Sequence, residues 1–89
     1  MDTSAATRSY FRDGRLLAIP KRRAARLAVL DVLANQFEPG FRYSEKNVNS
    51  VLGRFYPDFC ALRRYLVDEE FMERSDGIYW RAGGTFDIN

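Results

Sequence analysis

The chain has no histidine and one cysteine, Cys60. Serine–histidine catalysis therefore lacks its base, a zinc site of the Cys/His kind lacks its ligands, and no internal disulfide can form. Cys60 reads as a small buried hydrophobe. No apolar run approaches the ~20 residues of a membrane-spanning helix, and the N-terminus lacks the apolar core of a signal peptide. No glycine-rich phosphate loop, internal repeat or low-complexity segment is present. The carboxylates Asp68, Glu69, Glu70 and Glu73 do not suggest a metal site, because adjacent helical positions diverge by about 100° and cannot converge on one ion. These absences point to a soluble cytoplasmic protein that is not an enzyme and takes no cofactor, metal or membrane.

What is present suffices for one core. The 89 residues are 46% hydrophobic and 15% aromatic, which argues against disorder and for a single domain over 1–89. The net charge of +2 is too small to argue for nucleic acid, but its distribution is uneven. Arg8, Arg12, Arg15, Lys21, Arg22, Arg23 and Arg26 face only Asp2 and Asp13 within residues 1–26, a local charge of +5. Residues 58–76 carry Arg63, Arg64 and Arg74 against six carboxylates, a local charge of −3. The basic end is thus not the end that would carry a recognition helix.

The residues from Tyr56 to Arg81 organise the rest. Pro57 disfavours helix before it, and Asp58 can cap the free N–H groups of a first helical turn. Leu62 and Leu66, flanked by Phe59 and Tyr65, give that helix (58–69) one apolar arc. The hydrophobic period then drops to two, and Asp76-Gly77 supplies the positive φ angles of a tight hairpin over 72–81. A helix running into a small aromatic hairpin is the ending of a winged helix-turn-helix. Upstream, Pro20 suits the first turn of a helix reaching Gln36, although Lys21-Arg22-Arg23 is the wrong sign for its macrodipole and needs a compensating contact. Leu27, Leu30, Leu33, Ala34 and Phe37 form one arc, and Val29 and Val32 widen it enough that the N-terminal segment or a second chain should cover it. Phe41-Arg42-Tyr43 reads as an extended link, and Ser44 caps a short helix to Gly53. At the N-terminus two readings stay open. A helix from Thr3 or Ser4 to Arg12 is favoured, because Ala5-Ala6-Thr7-Arg8 is poor strand material. A hairpin turning at Asp13-Gly14 is the rival. Either way Arg15–Ile19 reads as a short strand, and 82–89 as a loose tail. The fold class is α+β, with three helices, a C-terminal hairpin and an N-terminal extension.

Several fragments resemble a bacterial family, the domain of unknown function numbered 2087. They are Asp13-Gly14-Arg15-Leu16, Ile19-Pro20, Phe37-Glu38-Pro39-Gly40, Tyr43-Ser44-Glu45 with Val48-Asn49, Asp58 followed by Leu62 to Asp68, and Arg74 with Gly77 and Tyr79-Trp80. The order is kept over nearly the whole chain. The resemblance implies an association with bacterial transcriptional regulators and carries over no catalytic residues. Glu70 departs from it, since glycine is common there in the family, and the change implies a helix running slightly longer.

The candidate nucleic-acid contacts are Lys46, Arg64, Arg74, Arg81, Lys21, Arg22 and Arg23. Arg64 falls with Ala61 and Asp68 on the outward face of the third helix, where it can meet phosphate or base, or pair with Asp68. Arg63 falls inside the apolar arc and needs a partner such as Glu45 or Asp31. Tyr79 and Trp80 alternate in direction, with Trp80 read as the core residue. Asp58, Ser44, Arg63 and Trp80 are accordingly structural. Lys21, Arg22, Arg23 and Arg26 can touch a nucleic-acid backbone, an acidic partner, or water. DNA binding in transcriptional regulation is the leading expectation. A protein-interaction module or homodimer on the same fold competes, and suits the acidic third helix better.

Overall fold

The computed structural model describes residues 8–85. A 3-10 turn (Arg8–Tyr10) leads to strands β1 (Phe11–Arg12) and β2 (Arg15–Leu16). Helix α1 (Arg23–Ala34), strand β3 (Arg42–Ser44), helices α2 (Glu45–Gly53) and α3 (Phe59–Asp68), and strands β4 (Met72–Ser75) and β5 (Ile78–Arg81) follow. The strands form two antiparallel sheets, β1-β2 and β3-β5-β4. This α+β arrangement is compatible with a winged helix. Phe41-Arg42-Tyr43, expected as a plain link, contributes the edge strand β3, because Arg42, Tyr43 and Ser44 pair with Trp80, Tyr79 and Ile78.

Both helices after β3 start where a side chain can accept a backbone N–H. Ser44 Oγ accepts from Asn47 at 3.1 Å and Asp58 Oδ1 from Ala61 at 3.2 Å. Helix α1 behaves differently. It begins at Arg23, three residues after Pro20, with Arg22 as an uncapped N-cap. The reason lies in Arg26, whose Nη1 donates to the carbonyls of Pro20 (3.3 Å) and Lys21 (3.0 Å) and so holds those residues outside the helix. The far end closes at Ala34, short of Gln36. There the Asn35 and Gln36 side chains donate to the carbonyls of Asp31 and Val32.

Within the described residues the N-terminal segment is a 3-10 turn at Arg8–Tyr10 followed by a hairpin, which overturns the favoured helix at Phe11–Arg12. Asp13 and Gly14 have φ of 54° and 75°, the signs a two-residue hairpin turn needs. Arg12 pairs with Arg15 across that turn. The Leu16 N–H then donates to Phe55 O at 2.8 Å, and Phe11 packs edge-on against Phe55, with ring centroids 6.4 Å apart. Residues 3–7 of the expected helix lie outside the described residues. The strand expected over Arg15–Ile19 is only Arg15–Leu16.

Leu30, Leu33, Leu52, Leu62, Leu66 and Phe37 are buried in one cluster between the three helices and the inner face of the larger sheet. Each such side chain contributes about 1.5–3 kcal/mol of transfer free energy. Val29 is fully buried and Val32 half-buried, and Leu16 and Ile19 join the same cluster.

Helix α3 does not run on through Glu70. Glu69 is its C-cap, and Glu70 sits at φ 65° in the left-handed region. The Glu70 N–H donates to Val67 O (3.0 Å) and the Phe71 N–H to Leu66 O (2.9 Å), the paired bonds of a helix stop that glycine normally occupies. Glutamate there carries the steric cost of a Cβ at positive φ. Replacing Glu70 by glycine should therefore raise stability by about 0.5–1 kcal/mol in urea denaturation. A loss of stability would show that the carboxylate makes a contact of its own.

Candidate nucleic-acid interface

Three of the sequence-selected arginines meet in one place. Arg63 and Arg64 from α3 and Arg74 from β4 line an open cavity of about 190 Å³ with Val67, Asp68 and Tyr79. The floor is a polar network. The Tyr79 hydroxyl donates to Glu45 Oε1 at 2.9 Å, and Arg63 Nη1 lies 3.8 Å from Glu45 Oε2 while donating to Asn49 Oδ1. Arg63 is thus half-buried and tied from two sides, one tie being the Glu45 expected from sequence. Asn49 was not expected, although its position one turn after Glu45 places both on one face of α2.

Arg64 and Arg74 are exposed, and among the described residues neither makes a hydrogen bond or ion pair. The pairing of Arg64 with Asp68 that its helical spacing allows does not form. Arg64 and Asp68 also border a second cavity of about 250 Å³, with Ala61 and Tyr65. The Arg26 guanidinium lies over the Tyr65 ring at 4.8 Å.

The basic start of α1 comes to the other edge of α3. Arg23 forms a two-pronged pair with Glu69, Nη2 to Oε1 at 2.7 Å and Nε to Oε2 at 3.2 Å. That carboxylate is the compensating contact the basic first turn requires. Lys21 and Arg22 are exposed, and Lys46 is exposed on α2 outside the cavity lining. Hydrogen bonding from Arg23 holds the Glu69 carboxyl below its ordinary pKa. The pair's contribution to stability is therefore complete above the ordinary carboxylate pKa and is lost as pH falls through the depressed one. Urea midpoints of the wild type and Glu69→Gln should differ at neutral pH and converge once the pH falls below the depressed carboxyl pKa.

Two assignments at the hairpin are corrected. Tyr79, not Trp80, is the core residue. The inner face of β5 carries Tyr79 and Arg81, while Trp80 is half-buried on the outer face. There the Arg42 guanidinium lies 5.4 Å from the Trp80 ring centre, and Trp80 Nε1 donates to Glu73 Oε1 at 3.1 Å. Arg81 is no nucleic-acid contact, being 7% exposed. Its Nη1 donates to Phe37 O (2.9 Å), Nε to Gly83 O (2.7 Å) and Nη2 to Thr85 O (2.9 Å). Burial lowers its pKa and nearby Asp31 opposes the shift. The Thr85 N–H donates to Asp31 Oδ1 at 2.6 Å, so residues 82–85, expected as part of a loose tail, are fastened to α1. Residues 86–89 lie outside the described residues.

Among the described residues no group of three or more His, Cys, Asp or Glu could hold a metal ion, and no helix is long and apolar enough to cross a membrane. Searches of curated proteins and of solved structures find no match. A sequence model of the bacterial family described as "Uncharacterized protein conserved in bacteria (DUF2087)" matches residues 15–81, well over half the chain, and the chain belongs to that family.

Proposed function

We propose that this domain is a winged helix that binds double-stranded DNA in the bacterial cytoplasm, in transcriptional regulation and without enzymatic activity. The observation that carries the reading is the convergence of Arg64, from the helix that would face the major groove, and Arg74, from the hairpin that would act as wing. Lys21 and Arg22 are exposed and immediately precede Arg23, which pairs with Glu69 at the C-terminal end of α3, and they add cations for a phosphate backbone. Mobility-shift titrations over a range of low salt test it. Affinity should fall steeply as salt rises, with a log–log slope reflecting the few arginines engaged. Absence of any shift at about 50 mM salt rejects the reading.

A second reading, a protein-interaction module or homodimer on the same fold, draws on the start of the edge strand β3. Phe41 is 59% exposed and borders, with Gly40, Arg42, Trp80 and Arg81, a cavity of about 200 Å³. A chain that binds no duplex but loses a partner or its dimeric state on Phe41→Ser would favour it.

A further inference from the structure

We propose that the cavity between α3 and the β4–β5 hairpin is a seat for a single phosphate group, with Arg63 as its fixed floor and Arg64 and Arg74 as its two jaws. The inference shares a surface with the DNA reading but rests on that reading only for the source of the phosphate.

The chemistry follows from how differently the three guanidiniums are held. Arg63 is immobilised by Asn49 and Glu45, and Glu45 is itself engaged by the Tyr79 hydroxyl. Its orientation is therefore set before any ligand arrives, which lowers the ordering cost of binding. Glu45 satisfies part of its charge from behind and leaves the remaining guanidinium N–H groups available. Arg64 and Arg74 come from different elements and spend none of their donors on described protein groups. Three forked cations around about 190 Å³ suit a tetrahedral oxyanion, which accepts several charge-assisted bonds at once. Asp68 lies in the same lining with the opposite sign. It disfavours an anion and makes the seat a weak one that exchanges readily.

This assignment changes what Arg64 does. An arginine occupied by phosphate is not free to read a base edge, so α3 would hold the backbone and contribute little sequence discrimination.

The test uses the full chain and inorganic phosphate, followed through the arginine Nε–H signals by NMR, with sodium chloride at matched ionic strength as control. The signals of Arg63, Arg64 and Arg74 should shift saturably with phosphate and not with chloride. Arg74→Gln, at an exposed position that should leave folding intact, should weaken phosphate roughly tenfold, the worth of one charge-assisted contact. Asp68→Asn should tighten it several-fold, a gain that a fold-damaging change would not produce. Shifts of equal size at Arg22, or unchanged affinity in Asp68→Asn, would overturn the seat. Short duplexes then identify the source. A duplex that displaces phosphate from the cavity supports the seat with DNA backbone as its ligand, and Arg64→Ala should then cost the same affinity on every duplex sequence. Phosphate binding with no duplex binding supports the seat for a free phosphate or phosphorylated small molecule, and rejects the DNA reading alone.

Discussion

Replacing Arg81 by alanine should destabilise the domain by about 3 kcal/mol, the largest single-residue effect expected outside the apolar core. Three carbonyls, those of Phe37, Gly83 and Thr85, accept from this one side chain, and the Phe37 bond is buried. Hydrogen bonds to a charged group are each worth about 1.5–3 kcal/mol and do not add in full, so the sum is held near the value of two. Truncation also leaves the Phe37 carbonyl without its donor in a place water does not reach. The crossing of residues 83–85 would loosen with it, since Gly84 (φ 91°) sits so close to Asp31, Phe71 and Arg81 that a Cβ there would meet all three. At roughly 4–8 °C per kcal/mol for a domain of this size, the melting temperature should fall by about 12–24 °C. Lysine should rescue only part of this, because a single ammonium cannot reproduce the guanidinium fork. A loss within about 0.5 kcal/mol would mean that the clamp is replaced by other bonds. Below its own melting transition Arg81→Ala should bind any ligand of α3 as the wild type does, because the guanidinium faces Phe37 and the 83–85 segment, away from solvent.

The double substitution Arg64→Ala with Arg74→Ala should have the opposite profile, with little change in stability and a large loss of DNA affinity. Both side chains are exposed and unpaired among the described residues, so their removal should alter stability by less than about 0.5 kcal/mol. If each supports one phosphate or base contact worth about 1–2 kcal/mol, the pair should cost about 100-fold in affinity and reduce the salt slope by about 2. Lys21→Ala with Arg22→Ala, tested alongside, should weaken binding less, because those residues do not line the cavity where Arg64 and Arg74 meet. Unchanged affinity in the first variant and abolished binding in the second would place the duplex along the start of α1 and remove α3 from the interface.

Local chemistry made much of this architecture legible. Ser44 and Asp58 start their helices as residues of their type should, and the Asp76-Gly77 pair turns its hairpin with φ of 52° and 79°. Asp13-Gly14 carried the same signal and obeyed it, so Phe11–Arg12 is a strand, because a turn needing two positive φ angles is a strict local requirement. Glu70 shows the converse. The helix stops there although glycine is missing, because burying Phe71 against the end of α3 outweighs the strain of one left-handed glutamate.

The sequence by itself determined the three main helices and the Asp76-Gly77 hairpin, that Arg63 needs a partner, and that Tyr79 and Trp80 face opposite sides. It could not decide which of the two faces inward. A period of two sets only relative parity, and the choice fell to the packing of the sheet on α2, where Glu45 receives the Tyr79 hydroxyl. The same parity sent Arg81 inward, where the carbonyls of Phe37, Gly83 and Thr85, brought together only by the fold, accept from it. Tertiary structure alone also set which of the separated charges meet. The basic residues 1–26 and the acidic residues 58–76 look separate along the chain, yet Arg23 and Glu69, 46 residues apart, meet at 2.7 Å. Charge patterning is read along one dimension, whereas Coulomb attraction acts through space, and only the folded chain sets those distances.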